Sequence, residues 1–144
     1  MQDIEEIRAS LGRYQFFGEC VVQGLAWKDF GTTLCLTIEY AWHTDGTLRL
    51  DHEDRLFVRL CFRWVQEFGL HNHLRPQLLE EPSVLDWSFA EVSLLTVDDD
   101  ERARQHAGLP IRMHHAMVRR EGNIWMDIVF GELEMSEVST LSDN

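Results

Sequence analysis

Seven histidines, 25 acidic side chains and three cysteines are the groups in this 144-residue sequence that could do chemistry. Their spacing decides which chemistry is open. His71-Asn72-His73 has the H-x-H spacing that lets a strand offer two imidazoles to a metal. A cupin-like site would also need a glutamate four or five residues later, and the next acid is Glu80. Nor do the dispersed residues of an HNH nuclease unit resemble a contiguous tripeptide. Asn72 instead suits the cap of a short helix. His114-His115 falls in a strand-like run, where adjacent rings point to opposite faces and cannot share a metal. The run Asp98-Asp99-Asp100-Glu101 lacks the alternate acids and central glycine of a calcium loop, and negative charge at a helix start explains it. Cys20, Cys35 and Cys61 are separated by 14 and 25 residues, too far apart for a C-x-x-C ligand pair. They read as reduced thiols packed in apolar strands. Nucleophile-elbow and phosphate-loop motifs are absent. No catalytic residue, metal or cofactor is expected.

The elements that would position these groups are short. Asp3 and Glu6 form a capping box for a helix over 3–12, with Ile4, Ile7 and Leu11 on one face. A strand-like run over 16–27 follows, then a tight connection at Asp29-Phe30-Gly31. Leu34, Leu36, Ile38, Tyr40 and Trp42 alternate with Cys35, Thr37, Glu39, Ala41 and His43, the pattern of a half-buried antiparallel strand. Thr44-Asp45-Gly46-Thr47 is a turn, and 51–54 an acidic loop. Leu56, Val58, Leu60, Phe62 and Trp64 form a second apolar face, with Arg55, Arg59 and Arg63 on the other side. If these two strands are neighbours, an arginine–glutamate pair to Glu39 follows.

A short helix is expected over 72–81, bounded by Pro76 and Pro82, and a strand over 89–97. A helix over 98–107 is expected to be capped by Asp98 and stopped by Gly108 and Pro110. A hairpin of 113–119 and 124–133 then leads to a polar tail from about 136. The fold class is α+β, a single domain over 1–144. It comprises about six antiparallel strands in a curled sheet with two or three short helices.

Composition narrows the function. A formal net charge of −12, with 12 arginines and one lysine, argues against nucleic acid as partner. The opening MQDIEEIRAS carries no apolar run and no stretch is long enough to span a membrane, so a cytoplasmic protein is expected. Trp27, Trp42, Trp64, Trp87 and Trp125 are many for this length. Trp42 and Trp64 sit on apolar faces and are expected in the core. Trp125 stands opposite the apolar face of its strand, beside Asp127, as an anchor for a partner.

Phe17-Gly18-Glu19-Cys20-Val21-Val22, followed by Trp27 and by Leu34-Cys35-Leu36-Thr37-Ile38, resembles the opening of small bacterial immunity proteins of polymorphic toxin systems. In those an aromatic and an acid precede a hydrophobic strand that pairs with a second. The resemblance covers about a quarter of the chain and departs from the family at Gly18-Glu19, where a His-Asp pair would stand. It implies a cytoplasmic protein that blocks a toxin by contact, and it assigns no site residue.

The resulting expectation is a non-enzymatic, inhibitor- or immunity-like binding protein with an acidic surface for a basic protein partner. Trp125, Asp127, Asp45, Asp51, Glu53 and Asp54 are its candidate contacts, and a homodimer is a further possibility. The rival reading is a small-molecule binder or hydrolase-like enzyme. In that case His43, Glu39, His115 and Asp127 would converge in a pocket of the curled sheet.

Overall fold

The computed structural model describes residues 2–49, 55–71, 91–120 and 123–138. The expected helix over 72–81, the acidic loop 51–54, and Trp87 lie outside the described residues.

Helix α1 (Ile4–Gly12) starts as expected: the Asp3 carboxylate accepts the Glu6 amide at 2.9 Å. Its Ile7 and Leu11 are fully buried. A short 3-10 turn, Gln15–Phe17, precedes strand β1 (Cys20–Lys28), so the strand begins four residues later than the apolar run suggests. Strands β2 (Thr33–Tyr40) and β3 (Leu56–Arg63) follow, with Leu34, Leu36, Ile38, Val58, Leu60 and Phe62 all turned into the core. They are neighbours, and the expected Arg55–Glu39 pair is present at 2.5 Å.

The remaining elements are β4 (Glu67–Leu70), β5 (Glu91–Val92), β6 (Leu94–Asp98), α2 (Glu101–Arg104), β7 (His114–Arg120), β8 (Asn123–Phe130) and β9 (Glu132–Val138). All described pairings are antiparallel. They form two sheets, β5-β1-β2-β3-β9 and β4-β8-β7-β6, rather than one six-stranded curled sheet. The physical reason is local. Two runs that look like single strands, 89–97 and 124–133, break at Ser93 and Gly131, and a third breaks off at its end, Trp64–Gln66, before β4. Each break carries the chain from one sheet to the other. Trp64 takes a left-handed backbone, φ 59°. At Gly131 a Cβ would lie 2.7 Å from Ile111 Cγ2 and 3.3 Å from Trp64 Cβ. Two of the crossings are bonded to each other, Gly131 N to Arg63 O at 2.9 Å and Gln66 N to Val129 O at 2.8 Å.

The inner faces of the two sheets share one core, in which Phe62 and Phe130 meet edge to face with ring centroids 4.9 Å apart. α1 closes the core beside β6, where Arg8 pairs with Asp98 at 2.9 Å and donates to Val97 O. Trp42 packs against this core and donates to Gly18 O at 3.0 Å. Trp64 does not: the crossing turns it outward, and 46% of it is exposed.

Other expectations are corrected. Cys35 and Cys61, directly opposite on β2 and β3, form a disulfide, so they are not reduced thiols. The odd count conceals a pair whose partners only the strand register reveals. Cys20 lies outside the disulfide and is buried. The second helix is capped by Asp100 rather than Asp98, because Asp98 still pairs with His115 in β6. The tail begins later than residue 136, since β9 pairs with β3 through Val138. The end of β9 is held by Tyr14, whose hydroxyl donates to Glu137 at 2.7 Å.

Candidate functional site

The densest group of chemically active side chains lies on the outer face of the four-stranded sheet, beneath α2. The alternation of β7 places His114 inward and His115 outward, as the sequence requires. The three consecutive aspartates before α2 then separate by role. Asp98 pairs with Arg8 of α1. Asp99 Oδ1 meets His114 Nδ1 at 2.8 Å and also pairs with Arg112. Asp100 Oδ1 caps α2 through the Arg102 and Ala103 amides, while its Oδ2 meets His115 Nδ1 at 2.8 Å. Two adjacent aspartates thus hold two adjacent histidines, one pair on each face of β7. His114 is fully buried, and its Nε2 donates to Gln2 O at 3.0 Å. The Gln2 side chain in turn bonds both backbone groups of Leu133.

Asp127 of β8 is the hub. Its carboxylate is 3% exposed and receives His71 Nε2 on Oδ2 at 3.1 Å. Arg102 Nη1 lies 2.9 Å from Oδ1, a charge contact directed so that no hydrogen bond forms. His115 Nε2 lies 3.4 Å from the same oxygen. Among the described residues neither His115 Nε2 nor Asp127 Oδ1, both buried, has a hydrogen-bond partner. Arg102 Nε continues outward to Glu67 Oε2 at 3.0 Å, and His106 Nε2 reaches that oxygen at 3.2 Å. The result is a row of imidazole, carboxylate, guanidinium, carboxylate and imidazole. Gly69, directly opposite Asp127 on β4, leaves the room that the carboxylate occupies.

The electrostatics follow from these contacts. Burial pushes the Asp100 carboxyl up, but the His115 ring and the two amides of α2 outweigh it, and the group is held below the usual carboxylate range. An ionised Asp100 makes His115 Nδ1 the donor. Glu67 is lowered by hydrogen bonds from His106 and Arg102, and Arg102 is raised chiefly by its bond to Glu67. Among the described residues no three His, Cys, Asp or Glu side chains converge to hold a metal ion.

Of the expected contact residues, Asp127 is buried in this network rather than on an open surface. Trp125 is half-buried under the Arg120 guanidinium, 5.3 Å from its ring centroid, and its buried Nε1 has no hydrogen-bond partner among the described residues. Asp45 is exposed. Its carboxylate accepts the Thr47 amide and hydroxyl at 2.9 and 2.6 Å, which holds it below the usual range. Asp51, Glu53 and Asp54 lie outside the described residues. Of the rival pocket set, His115 and Asp127 come together, whereas Glu39 is bound to Arg55 and Gln23 on the other sheet. His43 sits in the Thr47 turn, its amide donating to Thr47 O.

Sequence reasoning passed over Glu67, Arg102 and His106, and it set His71 aside with the H-x-H tripeptide. Only the pairing of β4 with β8 and the fold-back of α2 bring them to Asp127. It also passed over the aromatics at one end of the five-stranded sheet. Trp27 is 44% exposed at the end of β1, and Phe30 is wholly exposed in the turn to β2. Trp64 follows β3, whose next residue bonds Thr32. Asp29 and Phe30 both adopt left-handed backbone, φ 52° and 58°.

The described chain is a two-sheet α+β protein with a buried polar hub on one outer face and exposed aromatics at one end. No protein-family model, no curated protein and no solved structure matches it. Among the described residues, no helix is long and apolar enough to cross a membrane.

Proposed function

We propose that this chain is a non-enzymatic binding protein, inhibitor- or immunity-like in action, that engages a basic protein partner through the aromatic-bearing end of its five-stranded sheet. The observation that carries the reading is Phe30. A large apolar side chain stands fully in solvent on a turn whose left-handed backbone costs of order 1–3 kcal/mol per residue. Trp27 and Trp64 at the same sheet end supply the aromatic surface that interface anchors favour. The net charge of −12 supports a basic partner and a salt-dependent association rate, with Asp45, Asp51, Glu53 and Asp54 contributing to that field. Trp125 and Asp127 take a supporting place in this reading, because both are engaged within the fold.

The test is capture from lysate by the intact chain and by Phe30→Ser, at low and high salt. A basic protein retained at low salt, weakened by salt and lost with Phe30→Ser is the expected result. Equal capture by Phe30→Ser, or no salt-sensitive partner, overturns the proposal. Sizing chromatography distinguishes self-association as the occupant of that end.

A second reading, a small-molecule binder or hydrolase-like enzyme, is favoured by one observation: the buried His115 Nε2 and Asp127 Oδ1 lack a hydrogen-bond partner among the described residues. Such atoms are uncommon in folded proteins, and a bound ligand group is one way of satisfying them. Titration of the His71 and His115 ring resonances with a small-molecule set tests it. Absence of any shift removes it.

A further inference from the structure

We infer that Cys35–Cys61 is a reversible thiol–disulfide exchange site for an external dithiol, entered at Cys61. The two cysteines face each other on β2 and β3, Cα atoms 4.2 Å apart, within a ladder running from Thr33 opposite Arg63 to Tyr40 opposite Leu56. That ladder holds the strands in register on both sides of the sulfurs, so the bond can open without releasing them. The pair lies on the outer face of the five-stranded sheet, on the opposite side of β2 from Leu34 and Leu36. Cys35 is 4% exposed, with Ala26 as its other neighbour. Cys61 is only half-buried, next to Glu134 at the β9 side. Attack therefore falls on Cys61, and Cys35 is the leaving sulfur. Arg63, two residues from Cys61 on the same face, is paired with Glu134 of β9, so the greater exposure of Cys61 sets the point of entry.

The step balances as follows. A thiolate of the external dithiol attacks Cys61 Sγ. The Cys35–Cys61 bond breaks with its electron pair on Cys35 Sγ, which takes a proton. The second external thiol then attacks the mixed disulfide, Cys61 leaves as a thiol, and the external molecule departs as its own disulfide. Two electrons and two protons pass to the protein.

The test is equilibration of the full chain with dithiothreitol at graded oxidised-to-reduced ratios, an acid quench, alkylation and mass spectrometry, with near-ultraviolet circular dichroism recorded alongside. Cys35 and Cys61 should become alkylated together, Cys20 should stay protected, and the aromatic signal should be retained. Reoxidation should restore the starting mass. In single variants, Cys61 in Cys35→Ser should react with iodoacetamide about tenfold faster than Cys35 in Cys61→Ser. Reduction that occurs only with loss of the aromatic signal marks a purely structural disulfide and overturns the inference. So does a dithiol that fails to close in oxidising buffer, or equal reactivity of the two single variants.

Discussion

Gly69 stands directly opposite Asp127 on the β4–β8 ladder, and a methyl group on it would come within 2.7 Å of Asp127 Oδ2 and 3.3 Å of His71 Nε2. The smallest residue of β4 is thus the one that lets a buried carboxylate sit between an imidazole and a guanidinium. Phe68, one position earlier, turns the other way, into the core.

Gly69→Ala is expected to push the Asp127 carboxylate away from His71 and to cost about 1–3 kcal/mol, the usual range for overpacking. Denaturant unfolding reads the loss. The His71 ring resonances should move as well, whereas a substitution at Gly24, where a Cβ meets nothing within 4 Å, should leave them in place. Unchanged His71 signals in Gly69→Ala would show that the glycine plays no part in holding the hub.

Acid stability should track Asp100 and Glu67. Both carboxyls are lowered in the folded protein, so each contributes stability that is present above its unfolded value and lost as pH falls through the folded one. Asp100→Asn isolates one of them, because asparagine caps a helix about as well as aspartate. The variant is expected to show a shallower loss of stability below about pH 4, the ordinary carboxylate range. Identical acid-unfolding curves for variant and parent would contradict the assignment.

Gly131→Ala tests the crossing from β8 to β9. Its Cβ would press on Ile111 and on the Trp64 Cβ where the β3–β4 and β8–β9 crossings touch. A destabilisation of about 1–3 kcal/mol is expected, together with a change in tryptophan emission from Trp64. Wild-type stability in this variant would mean the crossing has slack that the geometry does not provide.

Tyr14 is raised to about 12, by burial first and then by its bond to Glu137. Tyr40 is also raised, by burial. Because the neutral phenol is the form the fold favours, this contribution is complete below the unfolded value and disappears as pH rises through the folded one. Ultraviolet titration should therefore show no phenolate forming near pH 10, the ordinary value, while the chain stays folded. Glu137→Gln should bring Tyr14 down and leave Tyr40 unmoved.

How far the sequence could be read differs from element to element. α1, β2, β3 and the β7–β8 hairpin are set by patterns a few residues long, such as an Asp3–Glu6 box or a period of two through Leu34, Leu36 and Ile38. Those patterns act through local sterics and one-sided burial, so they survive without knowledge of neighbours. The opposite orientations of His114 and His115 follow from the same period, and the Arg55–Glu39 pair follows once β2 and β3 are adjacent.

What only the tertiary structure decided is where each run breaks and what then comes together. Ser93 and Gly131 look like interior positions of continuous strands, and Trp64 like the end of one. By crossing there, the chain supplies strands to both sheets, whose apolar faces are buried in the one core between them. The disulfide, the hub at Asp127 and the exposure of Trp64 all depend on that crossing pattern or on register. Contacts such as His71 with Asp127, 56 residues apart, carry no local signal. Side-chain chemistry and short-range periodicity are written in the order of residues, whereas convergence depends on which surfaces must be hidden from water together.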